Sequence, residues 1–157
     1  MTQQTTERTV RRSITVEASQ QHAFDVFTEG MSRWWPLDTH HIGTAEPNAA
    51  VIEPRAGGRW FERAADGSEC DWGRVLQWQP PDRVVFAWHL DPDWKFDPDP
   101  ARATEVEVRF IAQGEKTRVE LEHRGFERLA DRADEVREAV GGPGGWSGLL
   151  ERFAEAV

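Results

Sequence analysis

Hydrophobic and polar positions alternate from Arg8 to Glu17, with Val10, Arg12, Ile14 and Val16 on one side and Arg11, Ser13 and Thr15 on the other. That period of two predicts a half-buried strand, and Arg12, on its apolar side, must sit near an end or snorkel. Ser19 offers an N-cap for a helix carrying Ala23, Phe24 and Phe27 toward a core, and Gly30 is its terminator. Met31, Trp34 and Trp35 stand at helical spacing before Pro36 and predict a further short turn. From Leu37 to Asn48 no period holds, so this stretch reads as a loop.

Short strand-like runs separated by turn chemistry follow: Ala50 to Glu53, Arg59 to Arg63, Glu69 to Gln79 and Arg83 to Leu90. The turns between them are Pro54 to Gly58, Ala65 to Ser68 and Pro80-Pro81-Asp82, which makes a meander of hairpins. Asp91 to Pro100 holds three Asp-Pro pairs and cannot be a central strand, so it forms an irregular loop carrying Trp94 and Phe96. Val106, Val108 and Phe110, then Val119, Leu121 and His123, mark the apolar sides of two more strands joined by the turn Gln113 to Lys116. Leu129, Ala133, Val136 and Val140 follow a helical period from Arg128 to Val140, which Gly141 to Gly145 breaks. The last helix gathers Trp146, Leu149, Leu150, Phe153 and Val157 on one face. The order is strand, helix pair, about six strands, then helix, which indicates an α+β domain of antiparallel strands. No repeat or linker divides residues 1–157, so one domain is expected, with residues 1–7 disordered.

Composition narrows the partners. A net charge of −9, with the 19 Lys and Arg scattered, repels phosphate backbones, so nucleic acid is not expected as a partner. No apolar run is long enough for a signal peptide or a membrane span, and a single Cys70 cannot form an internal disulfide; both point to the cytoplasm. The eight Trp and eight Phe come with no Tyr, an inventory that fills a core or lines an apolar site.

Several strings in this order resemble the activator of heat-shock-protein ATPase homologue-like (AHSA-type) branch of the START-like, or SRPBCC, superfamily. They are Pro54-Arg55-Ala56-Gly57-Gly58-Arg59-Trp60, Trp72-Gly73-Arg74-Val75 running into Pro80-Pro81-Asp82-Arg83-Val84-Val85-Phe86-Ala87-Trp88, Thr117 to His123 with Gly125-Phe126, and the helix opened by Gly145-Trp146. The resemblance implies the helix-grip (Bet v-like) fold, a curved antiparallel sheet round a C-terminal helix with a hydrophobic cavity between them. Members of the superfamily bind lipids, hormones or polyketides, catalyse aromatisation or dehydration, or activate a chaperone ATPase, so fold alone does not choose among these.

Three classes of function are therefore expected, in this order. The first is a module that binds a small hydrophobic or aromatic molecule, with Trp34, Trp35, Trp60, Trp88, Trp146 and Phe153 as pocket walls. Trp88 shares parity with Val84 and Phe86, and Trp146 lies on the apolar face of the last helix. The second is a chaperone-associated or stress-response protein acting through its surface, and a homodimer stays open. The third is a cyclase- or dehydratase-like enzyme using His123 and a carboxylate; His123 points to the core side of its strand and is counted among the pocket residues as a hydrogen-bond handle for a ligand. Glu62 faces inward if Trp60 does, and is counted among the pocket residues on that condition. Asp38, His40 and His41 invite a metal reading, but adjacent histidines rarely ligate one ion and no third ligand has a telling spacing. No metal or other cofactor is expected. Gly141 to Gly145 lacks the Lys and Ser or Thr of a phosphate loop, and Cys70 has no basic neighbour in sequence to activate it.

Overall fold

The computed structural model describes residues 9–157, so the expectation for residues 1–7 lies outside the described residues. Seven strands, β1 (Val10–Val16), β2 (Pro47–Ile52), β3 (Arg59–Ala64), β4 (Glu69–Gln79), β5 (Arg83–Trp88), β6 (Thr104–Gln113) and β7 (Lys116–Arg124), form one antiparallel sheet in the order β1-β7-β6-β5-β4-β3-β2. The sheet curls as a half-barrel round the C-terminal helix α4 (Trp146–Ala156), which is the helix-grip α+β fold. Two short helices, α1 (Gln20–Thr28) and α2 (Met31–Trp34), bridge β1 to β2, and α3 (Ala133–Gly141) precedes α4.

Strict alternation builds the β1-β7-β6 side. The β6 and β7 registers run unbroken from Glu105↔Arg124 to Gln113↔Lys116, so Val106, Val108, Phe110, Val119 and Leu121 all face inward and are buried. The alternate positions carry charge on the outer face, where Glu107 accepts from Arg83 at 2.7 Å, Arg109 at 2.6 Å and Arg124 at 2.6 Å. Burial alone would raise the Glu107 carboxyl, but hydrogen bonds from Arg124, Arg83 and Arg109 outweigh it and hold its pKa at about 2. Arg12 snorkels as its position requires, donating to Gly141 O at 2.8 Å and Ser147 Oγ at 2.9 Å, so it ties β1 to the end of α3 and the start of α4.

Alternation fails in β4. The register slips between Trp60↔Gly73 and Phe61↔Asp71, and again between Val75↔Phe86 and Gln77↔Val85, leaving Trp72 and Leu76 as extra residues. These bulges turn Trp72 inward, while Leu76 is left exposed. Gly73 sits where a Cβ would lie 1.9 Å from Ala87 O, so only glycine permits this approach of β4 to β5.

Three local expectations are corrected. β2 starts at Pro47, inside the stretch expected to be loop, because pairing with β3 overrides its weak pattern. The strand expected to reach Leu90 ends at Trp88, and Leu90 makes only an isolated bridge with Phe96. The helix expected from Arg128 to Val140 is a 3₁₀ segment over Phe126–Arg132 followed by α3, broken at Ala130 (φ 55, ψ −125). Leu129 keeps its buried place across that break, which explains why the apolar period survived in the sequence.

At the sheet's free edge, Ser32 Oγ of α2 donates to Ala50 O at 2.9 Å and accepts from Ala50 N at 3.0 Å, occupying both outward backbone groups of that β2 residue. Arg152 of α4 donates to Trp34 O at 3.0 Å and satisfies the end of α2.

Phe153 is fully buried, with ring centroids 5.3 Å from Phe27 and 5.7 Å from Trp34. Phe153→Ala is expected to lower stability by about 3–5 kcal/mol in urea denaturation, and a loss below about 1 kcal/mol would mean that α4 does not pack here. Ala130 is exposed and left-handed, so Ala130→Gly is expected to raise stability by about 1 kcal/mol. A loss of stability in the same assay would show that the backbone there is not strained.

Candidate functional site

The half-barrel is filled at one end and hollow at the other. At the filled end Phe24, Phe27 and Phe110 meet edge to face at 5.2–5.7 Å, and Phe153 and Trp34 close the cluster. At the other end four buried indoles, Trp35, Trp72, Trp88 and Trp146, and the exposed Trp94 as a fifth at the rim, stand round a cavity of about 470 Å³. Val140 of α3 and Leu149 of α4 complete its apolar wall, and the loop residues Thr39 to Ile42, with Gly144 and Gly145, border it. The described residues that line it include no carboxylate, Lys or Arg; their titratable members are His40 and His41. A site of this lining suits an uncharged apolar molecule.

The rings take these positions for reasons in the chain. Trp88 ends β5 on the parity of Val84 and Phe86, and Trp146 opens α4 directly after Gly145, where a Cβ would lie 2.0 Å from Val140 O. Trp35 follows α2, and its indole N–H donates to His40 O at 2.9 Å, folding the loop back over the cavity. His40 Nε2 in turn donates to Gly144 O at 2.7 Å, linking that loop to the glycine turn across the mouth.

Glu62 anchors the same loop from below. Its buried carboxylate accepts from the backbone N–H groups of Ile42 at 2.6 Å and Gly43 at 3.1 Å, and from Trp72 Nε1 at 2.8 Å. Three donors satisfy the charge, so Glu62 holds the cavity's frame and is not among its lining residues. Cys70 lies nearby, and burial with the charges of Glu62 and Asp71 pushes its thiol pKa up, away from a nucleophilic thiolate.

His123 is fully buried behind the Trp88 and Trp146 rings, at centroid distances of 5.0 Å and 6.1 Å. Trp146 Nε1 donates to its Nδ1 at 3.0 Å, so the proton of the neutral ring is on Nε2, 2.8 Å from Thr104 Oγ1. Burial pushes the His123 pKa down to about 3.

Of the expected pocket residues, the cavity brings together Trp35, Trp88 and Trp146. Trp34, Trp60 and Phe153 are buried and outside the lining: Trp34 and Phe153 pack on Phe27, and Trp60 packs on Phe86 at 4.6 Å behind Trp35, Trp72 and Trp88. Glu62 and His123 lie one layer outside the lining. Sequence reasoning missed Trp72, whose inward turn depends on a bulge, and the rim residue Trp94. Trp94 is 43% exposed, has φ 62, and sits with its ring 6.5 Å from that of Trp88. Its loop is pinned by Arg132, which donates to both oxygens of Asp93 at 3.1 and 3.0 Å. Among the described residues no group of three or more His, Cys, Asp or Glu is arranged to hold a metal ion, and no helix is long and apolar enough to cross a membrane.

Comparison with known proteins agrees with this architecture. A search of curated proteins finds no match. Among solved structures, an anthrahydroquino-gamma-pyrone synthase, Txn09, complexed with SUM, is 41% identical, with TM-score 0.67 over 95% of this chain and 96% of that one. The self-sacrificing resistance protein CalC from Micromonospora echinospora is 34% identical, with TM-score 0.69 over 95% and 93%. The Aha1 dimer from Colwellia psychrerythraea, 16% identical with TM-score 0.58 over 94% of each chain, shares the fold. The model of the family described as Activator of Hsp90 ATPase homolog 1-like protein matches residues 17–157, nearly the whole of the sheet and all of its helices, and the chain belongs to that family.

Proposed function

We propose that this protein binds a small, uncharged, planar aromatic molecule in the cavity between β4, β5, α3 and α4. The observation that carries the reading is the wall itself: four buried indoles and a fifth at the rim round about 470 Å³, with no carboxylate, Lys or Arg among the described lining residues. That volume lies within the roughly 300–1,000 Å³ of small-molecule sites. Flat faces at several orientations favour ring systems over flexible acyl chains, because a rigid ligand loses little entropy on being held. The similarity to an anthrahydroquino-gamma-pyrone synthase points the same way, toward a fused-ring ligand.

That similarity also supports a second reading, an enzyme acting on such a ring system. A His123-based mechanism has little support, since both ring nitrogens are engaged and the ring is kept neutral by burial. An enzyme reading would rest on His40 or His41 at the mouth, which the cavity borders. The chaperone-associated reading draws on the family alone, and a hollow interior is not what a surface-acting protein requires.

The test is a panel of neutral fused-ring compounds against fatty acids of matched carbon number. Fused rings are expected to quench tryptophan emission and to stabilise the fold by about 2.7 kcal/mol at a hundredfold excess over Kd. Ala139, exposed on α3 at the border of the cavity, supplies the control. Ala139→Trp is expected to plug the mouth and abolish binding with little change in melting temperature. Failure of every fused-ring compound to bind would sink the proposal.

The neutral state of His123 has its own signature. The unfolded imidazole titrates near 6.5 and the folded one at about 3, so between these values the unfolded chain holds the extra proton and stability falls as pH falls. From pH 7 to pH 5 this group alone should remove about 2 kcal/mol, above the window of Glu107, which lies between 4.5 and about 2. His123→Gln is expected to flatten that slope in urea titrations; an unchanged slope would show that His123 takes up its proton in the fold as readily as in the unfolded chain.

A further inference from the structure

Six of the eight indoles are buried, and five of their N–H groups have partners. Trp34 donates to Val26 O, Trp35 to His40 O, Trp60 to Met31 Sδ, Trp72 to Glu62 and Trp146 to His123. The sixth, Trp88 Nε1, has none, and among the described residues it is the one buried side-chain nitrogen or oxygen without a partner. Trp88 is 5% exposed and forms part of the cavity wall.

A buried, unpaired N–H destabilises a fold unless something else supplies an acceptor. The rings packed round Trp88 supply none. They are His123, Trp60, Trp146 and Trp94, at centroid distances of 5.0 to 6.5 Å. Of these only His123 carries a nitrogen able to accept, but Nδ1 already accepts from Trp146 and Nε2 carries the proton toward Thr104. Indoles have donors only. On its open side Trp88 faces a cavity whose apolar lining would hold a bridging water poorly.

We infer that the missing acceptor belongs to the ligand: the molecule this cavity takes is a planar aromatic carrying a ring carbonyl or equivalent oxygen, which accepts a hydrogen bond from Trp88 Nε1. The inference rests on the binding reading above and adds the polar group that orients the ring. It also assigns Trp88 a role distinct from the other three walls, whose N–H groups are committed to the protein and leave only their faces for contact. Selectivity then follows from one donor, because a hydrocarbon of the same shape leaves that donor unpaired.

The experiment compares 9-fluorenone with fluorene, two flat tricycles that differ by one carbonyl, using calorimetry and tryptophan quenching on the wild-type protein and on Trp88→Phe. The wild type is expected to favour fluorenone by about tenfold, and Trp88→Phe, which weakens both compounds by trimming the wall, to bring the ratio to about one. A second readout does not depend on the variant folding: in ¹H–¹⁵N spectra of the wild type, the Trp88 indole resonance should move downfield with fluorenone and not with fluorene. Equal affinities together with an unmoved indole resonance would overturn the inference and leave the binding reading standing. Binding of neither compound, nor of any other fused ring, would remove both.

Discussion

The contact on which the rest depends is the packing of Phe153 against the paired rings of Phe27 and Trp34. A strongly curled sheet leaves more interior than its own side chains can fill, and one helix has to be held inside it at a fixed depth. Phe153 sets that depth at one end of α4 through edge-to-face packing, and Arg152 adds a bond to the end of α2 from the same turn. With that end seated, the start of α4 has no such plug. Trp146 meets Trp35 and Trp88 edge to face at 6.1 and 5.8 Å, and these rings stand on the wall of the cavity.

The filled end is centred on phenylalanines, with Trp34 beside them, and the hollow end is walled by indoles. Phenylalanines carry no polar atom and can be packed solid. Tryptophans bring an N–H that needs an acceptor, and at the hollow end two of them fix the cavity's loop or its carboxylate in place: His40 O for Trp35, Glu62 for Trp72. The frame of the cavity is therefore made by the satisfaction of indole donors, and Glu62 is its hub because it serves two loop amides and one indole at once. The exception at Trp88 gains its meaning from this consistency.

Much of the fold was legible because β1, β6 and β7 obey a period of two, β5 is a short apolar run between turns and α4 keeps a helical period. Trp88 was placed on the cavity by its parity with Val84 and Phe86, and Trp146 by that helical period. Trp72 was not, because two bulges in β4 put Trp72 and Val75 on the buried side three residues apart, and no pattern of alternation survives that. Glu62 could be given neither a side nor a role, since the parity of its strand was open and two of its three partners come from a loop about twenty residues earlier that has no period. Trp34, Trp60 and Phe153 were read as pocket walls and are buried. Sequence could not tell which inward rings meet other rings and which meet empty space, since that depends on three-dimensional neighbours. The helix expected from Arg128 was misjudged because Leu129 satisfies the same burial in a 3₁₀ turn as in an α-helix.

An open half-barrel has two edges, and an unpaired strand edge is a template on which another chain can add itself. β2 is short and apolar at one such edge, pairing with β3 on one side alone. There Ser32 presents a hydroxyl that both donates to and accepts from the backbone of Ala50, imitating a neighbouring strand for the length of one residue. The hydroxyl touches neither the cavity nor the rings that form it. What it does is fill the two outward backbone groups of one β2 residue, so that an added strand would first have to displace a hydroxyl already bonded there.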